Sequence, residues 1–276
     1  MSDLRSRLAR FDRAPRARPA TAPADANPLA GVRALGAEWV GAPPSGYLRI
    51  ERELAGATPR SCVSVLDDRL GSGDLLVLDT ETTGLESGTG TLVFVVGLVR
   101  WSSQGMTLVQ LFLPEPAGER SFLEALQVEL ATAAGLVSYN GRGFDVPRLR
   151  SRMRVQRLDD ELLDLPHLDL LYPTRRLVRG WLPDARLKTV EERLLGTVRE
   201  GDLPGEFAPE VYRNLQLEGR DTGLADVVKH NALDVEHLPQ LVGRLAGALT
   251  GDDPEGLPDR CFLEVARHLL DRGDPA

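Results

Sequence analysis

The strongest constraint on this chain is a short apolar run that ends in two acids separated by one residue. Residues 75–78 read Leu-Leu-Val-Leu and are followed by Asp79-Thr80-Glu81-Thr82. Such a run predicts a strand that is buried on both faces. Because side chains at i and i+2 of a strand point to the same face, Asp79 and Glu81 are expected to converge. Crowded carboxylates repel each other unless a cation lies between them, and oxygen ligands of this type suit Mg²⁺ or Mn²⁺ rather than zinc.

Composition narrows the class of protein. With 276 residues, of which 42% are hydrophobic and 27% charged, the chain has the composition of a soluble globular protein with a sizeable core. A formal charge of −8 argues against a protein that simply coats nucleic acid, although metal ions could supply the missing positive charge of a nuclease. Cys62 and Cys261 are too few for a disulfide framework or a zinc site. We expect a cytoplasmic protein, without a secretory signal or a membrane span.

The chain divides into four predicted parts. Residues 1–30 are rich in Arg, Pro and Ala and are expected to be a disordered tail. Residues 31–73, with short strands predicted at 47–50 and 62–66, are expected to be a small extension packed on the main domain. Residues 74–250 form the main domain. Residues 251–276 are expected to be a linker followed by an amphipathic helix at 258–271.

Apolar periodicity and turn signals predict the order of elements in the main domain. Strands are expected at 75–79, 91–100 and 106–113, and their tight connections indicate an antiparallel meander. The later expectations, in chain order, are a helix at 119–133, a strand at 135–139, a helix at 144–153, an extended segment at 168–172, a helix at 187–195 and helical residues at 208–249, broken at Gly219 and Gly223. This order predicts an α/β protein of ribonuclease H type, with a mixed sheet flanked by helices.

Two later motifs supply further candidate site residues. On its own the first acid pair would be better explained as a solvated strand end. However, Asp145 follows a predicted strand and opens a helix, where it is either a third carboxylate of the site or a helix cap. His230 and Asp234 are one helical turn apart on a face that is otherwise apolar. An ionisable pair in such a place usually needs a partner or a metal.

The ordered set of motifs resembles the DEDD superfamily of 3′–5′ exonucleases. The first motif is D-T-E-T-T-G-L at 79–85, the second is N-x-x-x-F-D at 140–145, and the third is H-x-x-x-D at 230–234. Together with 139–149, the segments H-L-D-L-L-Y-P at 167–173 and L-K-T-V-E at 187–191 look most like the YprB-type ribonuclease H-like domains. The resemblance covers roughly residues 75–245, and the ordered set is specific where a single motif would be weak.

The resemblance implies a phosphodiesterase that uses two metal ions. The four acids, Asp79, Glu81, Asp145 and Asp234, would hold two Mg²⁺ or Mn²⁺ ions, and His230 would orient or deprotonate the attacking water. The expected substrate-binding residues are Thr80, Thr82, Leu85, Asn140, Phe144, Arg148 and Lys188. Asp169 is expected either to orient the site from behind the metal ligands or to be a structural loop acid. Lys188 is equally explained as a lysine on a helix surface.

The histidine departs from the pattern of the superfamily. Its histidine subgroup usually places His five residues before the last Asp, whereas the tyrosine subgroup places Tyr four before it. Here His230 has the tyrosine-type spacing, which rotates the side chain by about 100° on a helix. His237 and His167 therefore stay open as alternative bases.

A cluster of arginines follows the second motif directly. Its members are Arg142, Arg148, Arg150, Arg152, Arg154 and Arg157. They are expected either to bind phosphate or to form a solvated helix face. The leading interpretation is a metal-dependent 3′–5′ exonuclease that acts on DNA or RNA. An endonuclease on the same fold, a catalytically idle nucleic-acid-binding module and a small-molecule phosphatase stay open.

Overall fold

The computed structural model describes residues 27–55, 60–84 and 90–252 of the chain. Its strands are β1 (Glu38–Val40), β2 (Tyr47–Leu54), β3 (Leu75–Thr82), β4 (Val93–Trp101), β5 (Met106–Phe112), β6 (Gly135–Ser138) and β7 (His167–Asp169). Its helices are α1 (Ala30–Ala34), α2 (Val63–Leu66), α3 (Glu119–Leu130), α4 (Asp145–Val155), α5 (Leu171–Leu177), α6 (Leu187–Val190), α7 (Ala208–Glu218), α8 (Leu224–Glu236) and α9 (Leu238–Thr250).

The strands form one mixed sheet in the order β1-β2-β5-β4-β3-β6-β7. The predicted meander is confirmed, because β4 runs antiparallel to both β3 and β5. β6 is parallel to β3 and β7 is parallel to β6, so that α3 and α4 serve as the crossover helices. The predicted mixed sheet flanked by helices is therefore confirmed. The acid pair lies on β3, an interior strand of the sheet between β4 and β6.

The apolar run of β3 is buried on both faces, as its sequence predicts. Leu76 and Leu78 belong to one core cluster, which is completed by apolar residues of α3, α4, α7 and the first half of α8. Leu75 and Val77 belong to a second cluster, which is completed by residues of α5, α9 and the second half of α8. Alternation along the strand thus places one core on each face of the sheet. Asp79 and Glu81 point to the same face of the sheet as Leu75 and Val77.

The predicted N-terminal extension lies in the same sheet as the main domain. β2 pairs with β5 in antiparallel register from Leu48 opposite Phe112 to Leu54 opposite Met106, and β1 adds one further edge strand. The strand predicted at 62–66 is wrong, because α2 occupies most of that range. Val63 is buried in the second core cluster together with Leu241 and Leu245 of α9, and this packing decides the local conformation.

Two other element predictions need correction. The extended segment predicted at 168–172 ends at Asp169, whose carboxylate accepts the amide of Leu171 and so begins α5. The helix predicted at 187–195 is α6 followed by one π-helical turn, Glu191–Leu195. The predicted interruption of the helical region 208–249 at Gly219 and Gly223 is confirmed, and a further break at His237 divides the region into three helices. The tail up to residue 26 and the helix predicted at 258–271 lie outside the described residues.

Candidate active site

The first acid pair lies where β3 ends at the edge of the core. The strand extends to Thr82, beyond the predicted end at 79, so Asp79 and Glu81 both have strand geometry and share a face. Glu81 is only 8% exposed. Opposite Asp79 in the register stands Gly97 of β4. Because Gly97 has no side chain, it leaves room for a residue of α8 to reach Asp79.

The residue that uses this room is Asn231. Its amide nitrogen donates to Asp79 Oδ2 at 2.9 Å, and its Oδ1 accepts from Gln110 Nε2 at 2.8 Å. A Cβ atom added to Gly97 would lie 2.3 Å from Asn231 Oδ1, too close for the present packing. Gly97, Gln110 and Asn231 therefore fix the orientation of the Asp79 carboxylate from behind. Sequence reasoning missed all three residues, although Asn231 lies inside the third motif.

The third acid, Asp145, is the first residue of α4 and is 3% exposed. Its Oδ1 accepts the hydroxyl of Thr80 at 2.5 Å, which connects α4 to β3. The preceding loop is held by Asp169, whose carboxylate accepts the backbone amides of Asn140 and Arg142 at 2.7 and 3.0 Å. Asp169 thus fixes the conformation of the loop that precedes Asp145 and positions this acid.

The fourth acid, Asp234, and His230 face the same space from α8. His230 Nε2 lies 3.4 Å from Asp234 Oδ2, and both side chains are 15% exposed. They line a cavity of about 290 Å³. The other residues that line it are Asp79, Thr80, Glu81, Thr82, Phe144, Gly205, Glu206 and Pro209. Asp145 is bonded to Thr80 at its wall, so the fold brings all four predicted acids to one place.

The protonation behaviour of these acids reflects their crowding. Burial raises the pKa of Asp79 and of Glu81 well above the usual range, and the charges of Asp234 and Asp145 raise both further. Burial also raises the pKa of Asp145 to about 6, even though the Thr80 hydroxyl opposes the shift. Burial raises the pKa of Asp234 against the lowering effect of His230 and Arg199. A divalent cation among these carboxylates would stabilise their charged forms and so oppose both the effect of burial and the mutual repulsion.

The donor set fits such a cation. One ligand atom from each of Glu81, His230 and Asp234 lies within 4.8 Å of the others. Asp79 lines the same cavity and Asp145 is hydrogen-bonded to Thr80 at its wall, so both provide further carboxylate oxygens beside this group. Oxygen-rich sites of this kind suit Mg²⁺ and Mn²⁺.

A buried arginine that sequence reasoning missed organises the back of the site. Arg199 is 2% exposed at its side chain and forms a bidentate pair with Glu191, with both distances 2.6 Å. Its Nη2 also lies 2.6 Å from Asp234 Oδ1, and its Nη1 lies 3.6 Å from Asp202 Oδ2. Asp202 in turn lies 2.6 Å from His230 Nδ1. Arg199 and Asp202 come from an irregular segment between α6 and α7, where no periodicity could have identified them.

The two alternative histidines face other partners. His237 Nδ1 lies 3.0 Å from Glu191 Oε1, behind Arg199. His167 lies in β7, where its Nε2 is 2.7 Å from the Ser138 hydroxyl. Burial, together with the charge of Arg142, lowers the pKa of His167 to about 4. Of these three histidines, His230 is the one that lines the cavity.

The predicted substrate-binding residues have mixed positions. The Thr80 hydroxyl donates its hydrogen bond to Asp145, and the Thr82 hydroxyl donates to the carbonyl of Gly84. Asn140 and Lys188 are exposed, and Asn140 has a positive φ of 69°. Leu85 lies outside the described residues.

Four of the six arginines after the second motif, Arg148, Arg150, Arg152 and Arg154, contact other side chains of the protein. The Arg148 guanidinium is stacked 3.4 Å from the centre of the Phe144 ring and is 7% exposed. Arg152 pairs with buried Glu119, and Arg150 pairs with Asp164. Arg154 likewise pairs with an acid, Asp160. The expected phosphate-binding role of this cluster is therefore not supported for these paired members.

Comparison with known proteins is consistent with this architecture. A model of the RNase_H superfamily matches residues 76–246. The uncharacterized protein YprB of Bacillus subtilis (strain 168) is 36% identical over 171 residues, which is 61% of this chain and 41% of that protein. The chain thus spans less than half the length of this relative.

Two solved structures show similarity at lower identity. NrnC of Brucella melitensis bound to pGG has a TM-score of 0.43 at 21% identity, covering 75% of this chain and 85% of that one. Exonuclease I of Escherichia coli in complex with a dT13 oligonucleotide has a TM-score of 0.39 at 13% identity, covering 53% of this chain and 42% of that one. Within the described residues of this chain, no helix combines the length and apolarity that crossing a membrane requires.

Proposed function

The chain belongs to the RNase H superfamily, and on that premise we propose that it is a metal-dependent nuclease that removes nucleotides from the 3′ end of DNA or RNA. The observation that carries the proposal is the convergence of four acids from three separate segments. Asp79 and Glu81 come from β3, Asp145 from α4 and Asp234 from α8, and the pKa of each is raised by burial. Such shifts are costly to a folded protein and are typical of functional sites.

The four acids are the proposed ligands of two Mg²⁺ or Mn²⁺ ions. When bound, such ions polarise the phosphate and lower the pKa of the attacking water. The protein itself contributes position: Asn231 holds Asp79, Thr80 holds Asp145, and Arg199 holds Asp234. Preorganised ligands of this kind do not have to be rearranged during the reaction.

His230 presents Nε2 to the same space as the acids. Asp202 holds the opposite ring nitrogen, so the ring cannot turn away without losing that hydrogen bond. From this position Nε2 of His230 would orient or deprotonate the water that attacks the phosphate.

The shape of the site supports action at a strand end. The acids and His230 line a cavity of about 290 Å³, which is at the small end for ligand sites and suits one nucleotide. A larger groove of about 810 Å³ shares Glu206 and Pro209 with this cavity and is lined by Arg213 and Tyr212 of α7. We assign the groove to the nucleotides that precede the scissile bond.

The test uses DNA and RNA oligonucleotides labelled at the 5′ end, with either a free or a blocked 3′ end. Each is incubated with Mg²⁺, Mn²⁺ or EDTA. We expect a metal-dependent ladder that shortens from the free 3′ end and is absent for Asp79→Ala and Asp234→Ala. The matched control is Asp226→Ala, because Asp226 is an exposed acid on the same helix as Asp234 and pairs with Lys229. It should cleave at the wild-type rate.

Other outcomes would redirect or refute the proposal. Internal cuts that survive the 3′ block would identify an endonuclease on the same fold. Binding of the oligonucleotide without cleavage in either metal would identify a catalytically idle binding module. Near-wild-type cleavage by Asp79→Ala in Mg²⁺ buffer freed of other metals would refute the metal-ligand assignment.

A further inference from the structure

We infer that a basic surface beside the cavity binds an unpaired stretch of nucleic acid, separate from the nucleotides that occupy the cavity and the groove. The surface is formed by α5 and by the segment that connects α5 to α6. We call it the α5–α6 surface, and its members are Tyr172, Arg175, Arg179, Arg186 and Lys188. The inference rests on the proposed function for the class of ligand.

The charge of the chain reverses in this region. The whole chain has a formal charge of −8, yet residues 171–195 contain six lysines and arginines and only three acids. One of these acids, Glu191, is paired with Arg199 in the interior and adds no negative charge to the surface. A basic surface on an acidic protein attracts polyanions to one place, and for a nuclease the polyanion is its substrate.

The cations of the α5–α6 surface are not neutralised by acids of the protein. Arg175, Arg179 and Lys188 are exposed, and among the described residues none of their side chains forms a hydrogen bond or an ion pair. Arg186 has one acidic neighbour, Asp184, at 4.0 Å, and its side chain is 85% exposed. Several arginines after the second motif, in contrast, pair with acids. An unpaired guanidinium offers parallel N–H donors that match the oxygens of a phosphate.

An exposed aromatic ring lies among these cations. Tyr172 is 57% exposed, whereas Leu171, Thr174 and Leu177 of the same helix are buried. Residues three apart share a helix face, so Tyr172 and Arg175 point to the same side of α5. Proteins that bind single strands combine aromatic rings, on which bases stack, with cations that contact the backbone. The bases of a duplex are not available to such a ring, so the combination favours an unpaired strand.

The α5–α6 surface lies at the edge of the sheet that carries the acids. β3, β6 and β7 are parallel, so the end of β3 and the start of α5 after β7 lie at the same edge. Asp79 and Glu81 point to the face that carries the second core cluster, to which Leu177 of α5 and Val190 of α6 belong. α7, which lines the groove, packs on the opposite face. The surface therefore holds a different part of the substrate from the groove.

Two sets of contacts fix the α5–α6 surface relative to the site. Tyr139 donates to the carbonyl of Ala185 at 2.6 Å, which attaches the connecting segment to the start of the second motif. At the other end, Glu191 follows α6 directly and holds Arg199, which in turn holds Asp234. A strand bound to the surface is thus kept beside the acids, which raises the effective concentration of substrate at the site.

The experiment measures the binding of fluorescently labelled oligonucleotides to the full chain in EDTA, so that binding is observed without metal-dependent cleavage. Single strands of DNA and of RNA and a DNA duplex of the same length are compared by fluorescence anisotropy over a series of salt concentrations. For a single strand, the logarithm of the affinity falls with the logarithm of the salt concentration with a slope of about −0.7 per phosphate contacted. We expect the single strands to bind more tightly than the duplex.

Substitutions separate phosphate contacts from stacking. In the double variant Arg175→Gln, Arg179→Gln we expect the salt slope to become shallower by about 1.4 and the affinity to fall about tenfold or more. Tyr172→Ala should lower the affinity for single strands about tenfold and leave the slope unchanged, because it removes stacking and no charge.

The matched control is Arg120→Gln. Arg120 is an exposed arginine of α3, on the opposite face of the sheet, and pairs with Glu124. This variant should keep both the affinity and the slope of the wild type. Circular dichroism of each variant checks that the fold is retained.

The results also separate this inference from the nuclease proposal. Unchanged affinity and slope in the double variant and in Tyr172→Ala, or no measurable binding of any oligonucleotide, would overturn the inference. The nuclease proposal would still stand if Asp79→Ala abolished cleavage. Conversely, a shallower slope in the double variant without cleavage of any oligonucleotide in Mg²⁺ or Mn²⁺ would support the surface and refute the nuclease. Equal affinity for duplex and single strand, with no effect of Tyr172→Ala, would overturn the assignment to an unpaired strand.

Discussion

Replacing Arg199 by Met removes the cation that holds three buried acids in place. The side chains of Arg199 and Glu191 are 2% and 0% exposed, and Asp234 and Asp202 contact the same guanidinium. Breaking a buried ion pair by removing one partner typically costs about 3–5 kcal/mol, because the remaining charge is left in the interior without compensation. For a domain of this size that corresponds to a fall in Tm of about 6–20 °C.

The loss of Tm in Arg199→Met should depend on pH, because Arg199 lowers the pKa of Glu191. Burial by itself would raise the pKa of Glu191, but the hydrogen bonds from His237 and Arg199 outweigh it and hold the pKa below its usual value. A lowered pKa contributes stability that is present above the unfolded pKa of about 4.5 and is lost as the pH falls through the folded value. Without Arg199 the pKa of Glu191 rises, so the variant can protonate and relieve the buried charge. The difference in Tm between wild type and variant should therefore shrink as the pH is lowered from 7.5 towards 4.5.

The assay is thermal unfolding followed by circular dichroism, in EDTA, at both pH values. Arg193→Met is the matched control, because Arg193 is an exposed arginine of the π-helical turn that contains Glu191, and it should unfold within a degree or two of wild type. Adding Glu191→Gln to Arg199→Met should recover part of the loss, since it removes the orphaned charge. An unchanged Tm for Arg199→Met at pH 7.5 would refute the reasoning. A loss that did not vary with pH would assign the effect to packing instead.

Two further predictions concern Asp79 and its supports. Gly97→Ala places a Cβ 2.3 Å from Asn231 Oδ1 and displaces the side chain that holds Asp79. We therefore expect the nuclease rate to fall about 10–100-fold. The measurement is the initial rate at saturating oligonucleotide. Asp79→Asn removes one charge from a group of acids whose pKa values are raised in the fold. Because a carboxyl group with a raised folded pKa destabilises the fold above its unfolded pKa of 3.8, this variant should have a higher Tm than wild type in EDTA at pH 7.5. The gain should shrink as the pH is lowered and vanish at about pH 4. Adding Mn²⁺ should then stabilise wild type more than Asp79→Asn, as differential scanning fluorimetry would show.

Each of these two has a contrary result. A wild-type rate in Gly97→Ala would dismiss the role of Asn231. A Tm of Asp79→Asn below that of wild type in EDTA at pH 7.5 would mean that the carboxylates do not repel each other in the fold.

Local sequence pattern determined the central strand, the meander and the segments that carry the four acids. All four residues of the run at 75–78 are apolar, and the strand is buried on both faces of the sheet. Its burial could therefore be predicted without knowing which elements pack against it. Asp79 and Glu81 share a face because alternation is a property of the strand itself. His230 and Asp234 share a face for the corresponding reason on a helix. These features depend on contacts between residues that are close in the chain, and a single sequence contains that information.

Tertiary structure decided everything that depends on residues distant in the chain. The segment 62–66 has the composition of a strand, yet packing against α9 makes most of it a helix. Arg199 and Asp202 lie in an irregular segment without periodicity, and their role exists only because Glu191, His230 and Asp234 arrive from elsewhere. The missing side chain of Gly97 matters only because Asn231, more than a hundred residues later in the chain, fills the space that it leaves. The physical reason is the same in each case: a buried charge or a missing side chain has a free-energy consequence only once the fold supplies its partner, and no local pattern records that partner.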